Sequence, residues 1–229
     1  MLFRSNDASI NSATGENNNF SLDAGTSSIT FNEDLGAIRA LGTFTINEAD
    51  AGVIFGGADN EVVGTGSTGP VNVINTTGDI NIGVATNVIT GTGIVLNGGS
   101  SPLVITTTNA NVRLNGAVTL ASDVRIDTGS GTGDITFTND TPVDSSANEF
   151  NDLTLTAGSG IIRFNEDIGA ATNGQLGAFT IETAARVLFG ESNTETAGTG
   201  STGPVTLIRT TDTINIGSLA VIKIGRAHV

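Results

Sequence analysis

Residues Leu153 to Phe164 read LTLTAGSGIIRF. The alternation places Leu153, Leu155, Ile162 and Phe164 on one side of an extended chain, with Thr154 and Arg163 on the other. The intervening AGSG has the composition of a tight turn. The stretch therefore reads as two short strands sharing one apolar face. LVITTTNANVRL (from Leu103), VRIDTGSGTGDITF (from Val124), FTIETAARVLF (from Phe179) and VTLIRTTDTINI (from Val205) follow the same plan. The second strands end at Phe31, Phe55, Ile82, Leu114, Phe137, Phe164, Phe189 and Ile216, with gaps of 24, 27, 32, 23, 27, 25 and 27. A unit of this size cannot bury its apolar face alone, but a stack of such units can.

A longer repeat contains these units. A shift of about 133 positions lays AGTSSITFNEDLGA (from Ala24) on AGSGIIRFNEDIGA (from Ala157). The same shift matches LGTFTI with LGAFTI, VIFG with VLFG, and INIG at Ile80 with INIG at Ile214. GTGSTGPV at Gly64–Val71 returns at Gly198–Val205. It lacks the Lys and the following helix of a phosphate loop and leads into strand-like VNVIN and VTLIR, so it reads as a turn. By gap counting, five units make one long repeat.

These observations predict an all-β fold, a right-handed parallel β-helix (β-solenoid) of about eight rungs. Rungs spaced about 4.8 Å apart make a rod of roughly 40 Å. Residues 1–222 form one solenoid, with copy one at 1–133 and a partial copy two at 134–222. The alternative is an antiparallel β-sandwich, which also uses short, regularly spaced strands. It predicts two-residue Asn-Gly or Asp-Gly hairpins, whereas the turns here are longer.

The composition excludes several functions. The chain has 229 residues, with 9 Lys and Arg against 23 Asp and Glu, giving a net charge of -14. Such a surface repels nucleic acid and anionic membranes. With no Cys there is no disulfide or thiolate metal site. No run approaches a bilayer span, and MLFRSNDAS has no apolar signal core. The only Lys and the only His fall in KIGRAHV at 223–229. Its end is similar to a translated sequencing adapter, so it is expected to be an artefactual tail. Copy two is still running at that point, and the start falls within a rung, so the expectation is a piece of a longer protein.

The LTLxAGxGxIxF and LGxFTI rungs and the Gly/Thr-rich spacers resemble the repeats of large secreted bacterial adhesins. These are the filamentous-haemagglutinin-like proteins and the autotransporter passengers. The resemblance covers residues 2–222 and implies export to the cell surface or the extracellular space, a non-catalytic stalk, and contact with a host-cell or matrix surface through glycan or protein. It implies membrane attachment only through an anchor lying elsewhere.

Candidate chemistry is sparse. In the triplets Asn32-Glu33-Asp34 and Asn165-Glu166-Asp167, the carboxylates of Glu33, Asp34, Glu166 and Asp167 offer hard oxygens suited to calcium, as in a calcium-stiffened surface-layer-type protein. Adjacent residues cannot all face one ion, however, and the GGxGxD motif of calcium β-rolls is absent. A solvated, Asx-capped turn is the competing reading. Asp127 and Asp134 flank one turn and could form the carboxylate pair of a polysaccharide-active β-helix enzyme. No Asp, His, Arg and Lys cluster surrounds them, so they read as turn residues. No GxSxG elbow or usable His supports serine hydrolysis. No catalytic residue, metal or cofactor is assigned. Outward Thr30, Thr136, Thr138, Thr154, Thr156 and Thr180 form no regular TxT array of an ice-binding face. In the irregular stretch Gly83–Asn109 the extra chain must loop out or form an added strand; it is the expected place for recognition, with a tolerated insertion as the competing reading.

Overall fold

The computed structural model describes residues 3–5, 9–57, 70–84, 86–138, 142–190 and 205–217. GTGSTGPV, apart from Pro70, Val71 and Val205, lies outside the described residues, as does the tail 223–229. Among the described residues there are nineteen strands, numbered here in chain order, and no helix. They form three sheets, which are the faces of the rod.

Face A holds β1 (Phe3–Ser5), β3 (Ile29–Phe31), β5 (Val53–Phe55), β8 (Ile89–Leu96), β11 (Gly116–Leu120) and β14 (Val143–Ser145). Face B holds β6 (Val73–Asn75), β9 (Leu103–Thr106), β12 (Val124–Asp127), β15 (Leu153–Thr156), β17 (Phe179–Thr183) and β19 (Ile214–Ile216). Face C holds β2 (Phe20–Leu22), β4 (Phe44–Ile46), β7 (Ile80–Ile82), β10 (Val112–Leu114), β13 (Ile135–Phe137), β16 (Ile161–Phe164) and β18 (Arg186–Phe189). Single bridges at Ile10 and Leu35 extend face B, and those at Ile168 and Ile208 extend face A. The chain thus visits A, B and C in rotation, and every pairing is parallel. The fold is a parallel β-helix, and parallel pairing excludes the antiparallel sandwich.

Alternation sets the packing. Ile29 and Phe31, Phe44 and Ile46, and Leu153 and Leu155 are buried, while Thr30, Thr45 and Thr154 between them are half-buried. In-register pairing places like residues over like: Ile80, Val112, Ile135 and Ile162 form one column on face C. Each fully buried Ile, Leu or Phe contributes about 1.5–3 kcal/mol from removal of apolar area. The core is one continuous apolar cluster along the rod.

The strand-ending Phe residues divide between faces: Phe31 and Phe55 lie on face A, whereas Phe137, Phe164 and Phe189 lie on face C. One sequence expectation is corrected by this: the long repeat does not comprise five rungs. From β3 to its copy β16 the chain crosses fourteen faces, and three faces make a turn, so the repeat is 14/3 or four and two-thirds turns. Gap counting missed the missing face because β5 ends at Phe55 and β6 starts only at Val73, so many residues pass without a full turn.

Every copy-equivalent strand obeys this phase. On going from copy one to copy two, β2 and β4 on face C become β15 and β17 on face B, and β3 and β5 on face A become β16 and β18 on face C. The bridge at Leu35 on face B becomes Ile168 on face A. The aromatic packing turns with the strands. Phe31 stacks on Phe55 at 5.1 Å and meets Phe44 edge-on at 5.8 Å. Their equivalents repeat this, Phe164 stacking on Phe189 at 5.6 Å and meeting Phe179 edge-on at 5.6 Å.

Candidate functional site

The outer surface and its corners carry the polar chemistry, and both triplets split there in the same way. Asn32 and Asn165 turn inward and are each 5% exposed, while Glu33 and Glu166 stay half-buried at the bend. The Asp34 carboxylate accepts from the backbone N–H of Asn72 at 2.8 Å and of Val73 at 2.9 Å, one turn on. Asp167 likewise accepts from the N–H of Thr206 at 2.6 Å and of Leu207 at 2.9 Å. Each triplet Asp is therefore a bracket between turns. Gly36 and Gly169 follow at φ 72° and 69°, backed against the carbonyls of Asn75 and Arg209. A side chain there would strain the bend and strike backbone, which fixes the glycine of NEDLGA and NEDIGA.

The same device recurs along the rod. Asp79 accepts from Asn111 N–H, Asn111 from Asp134 N–H, and Asp134 from Ile161 N–H, at 2.8–2.9 Å. Asp123 accepts from Asp152 N–H at 2.8 Å, and Asp152 from Ala178 N–H at 2.6 Å. A corner N–H that no strand pairs would otherwise need water, so one Asx oxygen per corner satisfies it and ties adjacent turns. Much of the acidic composition is thus committed to holding the stack.

The structure gives Asp127 and Asp134 separate partners. Asp127 ends β12 on face B and takes Arg125 Nη2 at 3.2 Å. Asp134 precedes β13 on face C and pairs with Arg163 Nη1 at 2.9 Å. Arg125 reaches further along face B, donating Nη2 to Glu182 Oε2 at 2.9 Å and Nη1 to Oε1 at 3.2 Å. Thr156 Oγ1 donates to the same Oε2 at 2.7 Å. These hydrogen bonds, Arg125 foremost and Thr156 next, hold the Glu182 carboxyl below its usual range. Glu182 in turn raises the Arg125 guanidinium. Spacing alone missed this pairing, because its members lie on β12, β15 and β17 and meet only once the turns are stacked in register.

One of the Thr residues expected to face outward does not. Thr138 is 1% exposed and faces inward, because it follows Phe137 beyond the strand, where the chain turns; its hydroxyl donates to Asn115 Oδ1 at 2.6 Å. Thr30, Thr136, Thr154, Thr156 and Thr180 are outward and half-buried. Of the two expectations for the irregular stretch from Gly83, strand rather than loop is observed, as β8 and β9. Within β8 the register shifts opposite Gly116 and Val118, leaving Thr90–Thr92 as an exposed bulge. Thr90 and Thr92 donate their hydroxyls to the carbonyls of Asp50 and Ala51, which ties the bulge to the neighbouring corner.

Among the described residues, no three His, Cys, Asp or Glu side chains gather in a metal-binding group, and no helix is long and apolar enough to cross a membrane. No family model, curated protein or solved structure matches the chain. The surface offers rows of hydroxyl, amide and carboxylate groups whose carboxylates are largely engaged by backbone N–H groups and arginines.

Proposed function

We propose that this chain is a structural stalk and adhesion segment of an exported bacterial surface protein, without catalytic function. The observation that carries the reading is the continuous stack of parallel pairings through repeated turns, in register but for the shifts at β8 and β17. Such a column is stiff, grows by adding repeats, and places every outward residue at a fixed height. The adhesin-like rungs support the same reading, as do carboxylates committed to inter-turn brackets rather than to a cleft. Contact with a host-cell or matrix surface then depends on many weak contacts acting together.

The test is retention of beads coated with the purified chain on matrix-coated and cell-coated surfaces, against beads coated with an unrelated acidic protein of similar charge. Dense coating is expected to retain the beads and sparse coating to release them. Equal release at every coating density would sink the adhesive reading.

A further inference from the structure

We propose that Asn173 is a site of spontaneous deamidation, a slow chemical mark that the fold confines to one of three Asn-Gly pairs. The pairs are Asn97-Gly98, Asn115-Gly116 and Asn173-Gly174. Asn-Gly is the reactive pairing because glycine has no Cβ to shield its backbone nitrogen from the preceding side chain. That nitrogen gives up its proton to water or hydroxide and bonds to the Asn Cγ. The Cγ–Nδ2 bond breaks, and Nδ2 leaves as ammonia with a proton taken back from water. Water then opens the five-membered succinimide at either carbonyl, leaving isoaspartate or aspartate. The side chain must swing onto the next nitrogen to react, so hydrogen bonds on its amide hold the reaction back.

Two of the pairs are held. Asn115 is 0% exposed. Its Nδ2 donates to the carbonyls of Val84 at 2.8 Å and Asn87 at 3.3 Å, and its Oδ1 accepts from the Thr138 hydroxyl at 2.6 Å. Half-buried Asn97 donates Nδ2 to the Gly56 carbonyl at 2.6 Å and accepts at Oδ1 from the Gly99 N–H at 2.8 Å. The attacking nitrogen there is occupied as well, because the Gly98 N–H donates to Ser122 Oγ at 2.6 Å. Asn173 is exposed, and its side-chain amide makes no hydrogen bond among the described residues. The Gly174 N–H has only the Ala171 carbonyl, at 3.1 Å. Asn173 lies at φ 61° in the corner GAATNGQLG (from Gly169), whose copy-one equivalent GAIRALG (from Gly36) is two residues shorter and has no Asn-Gly. The Asn173 carbonyl accepts from the Asn148 N–H and the Gly174 carbonyl from the Ser145 N–H, each at 2.9 Å. An isoaspartyl link lengthens the main chain by one carbon at this point and adds a negative charge beside Asp144, which borders Gly174. Conversion therefore strains a tie between adjacent turns.

The test holds the purified folded chain in mildly alkaline buffer and follows each pair by peptide mass spectrometry, with electron-transfer fragmentation to separate isoaspartate from aspartate. A parallel time course in concentrated guanidinium chloride gives the rates without the fold. In the folded chain Asn173 is expected to convert at least about ten-fold faster than Asn97 and Asn115, which must first open locally. In denaturant the three rates are expected to lie within about three-fold of one another. Asn173→Gln is expected to abolish the mass gain of the tryptic peptide Phe164–Arg186, which also contains Asn165, because the longer side chain closes its ring far more slowly. A gain that survives this substitution places the reaction at Asn165 and overturns the proposal. Equal rates at the three pairs in the folded chain overturn it too. So does a lead for Asn173 that persists undiminished in denaturant, since local sequence would then set it. An Asn173 that stays intact in the fold while the denatured chain converts overturns it as well.

Discussion

The aromatic trio Phe31, Phe44 and Phe55 and its copy Phe164, Phe179 and Phe189 have the same sequence setting on different faces of the rod. Their ring geometry is nearly unchanged, the edge-on pairs lying at 82° and 84° between planes. A side chain here is fixed by the turns above and below it, and the three faces are interchangeable hosts. The two trios differ in what covers them. Phe55 lies under Leu96 of the next turn and is 1% exposed, whereas Phe189 sits on β18, the last strand of face C among the described residues, and is only partly buried.

The largest test of this equivalence removes a central ring. Phe44→Ala and Phe179→Ala each delete a fully buried side chain and should cost about 3–5 kcal/mol, through lost transfer energy and the cavity left behind. Urea unfolding followed by circular dichroism would measure both. Phe55→Ala should cost clearly more than Phe189→Ala. Equal losses would mean that the shared sequence setting, rather than the cover, sets the energy.

The inter-turn brackets give the next effect. Asp34→Ala and Asp167→Ala each strip two backbone N–H groups of their acceptor, which should cost about 1–3 kcal/mol. Asp34→Asn keeps one acceptor oxygen and should recover most of the loss. If Asn rescues nothing, the carboxylate charge rather than the hydrogen bonds secures the turn.

On the outer surface the copies diverge, and smaller energies follow. Glu182 corresponds to Asn47, which donates to Ser21 Oγ at 3.3 Å instead. Arg125 and Glu182 have side chains 38% and 42% exposed, so solvent weakens their pairing. Arg125→Met should cost about 0.2–1 kcal/mol. The Glu182 carboxyl titrates below its usual range in the fold, so the pairing contributes above the ordinary glutamate pKa and is lost as pH falls through the lowered value. A wild-type-minus-variant difference that persists at acid pH would remove Glu182 from the explanation.

Much of the fold could be read from LTLTAGSGIIRF and its relatives, because period-two alternation reports the inward face directly. The phase could not: a gap between two Phe residues counts letters, and letters spent between Phe55 and Val73 do not register as faces. The surface was legible in part. The NED triplets were visible as repeated polar turns, but the N–H partners of their Asp residues lie almost forty positions away. Arg125 and Glu182 are separated by 57 positions, and only parallel stacking brings them together. Local pattern therefore fixes what a strand faces, while register fixes what it meets.

Asp144 and Asn11 make the finest comparison. They are copy-equivalent, each accepting from the first corner N–H of the next turn, Ala171 at 3.0 Å and Ile38 at 2.9 Å. In copy two the acceptor carries a charge. Desolvation raises the Asp144 carboxyl, the N–H groups of Ala171 and Ala170 oppose that rise, and nearby Asp167 adds to it. A carboxyl whose folded pKa lies above its unfolded value favours the fold below the ordinary aspartate pKa and loses that contribution as pH rises through the folded value. At neutral pH the ionised Asp144 is therefore a net cost that Asn11 avoids. Asp144→Asn should raise the melting temperature at pH 7, only slightly because solvent screens this half-buried carboxyl, and the gain should vanish near pH 3. A loss at pH 7 would show that the second copy needs the charge itself, through Arg209, and that the two corners resemble each other only in their hydrogen bonds.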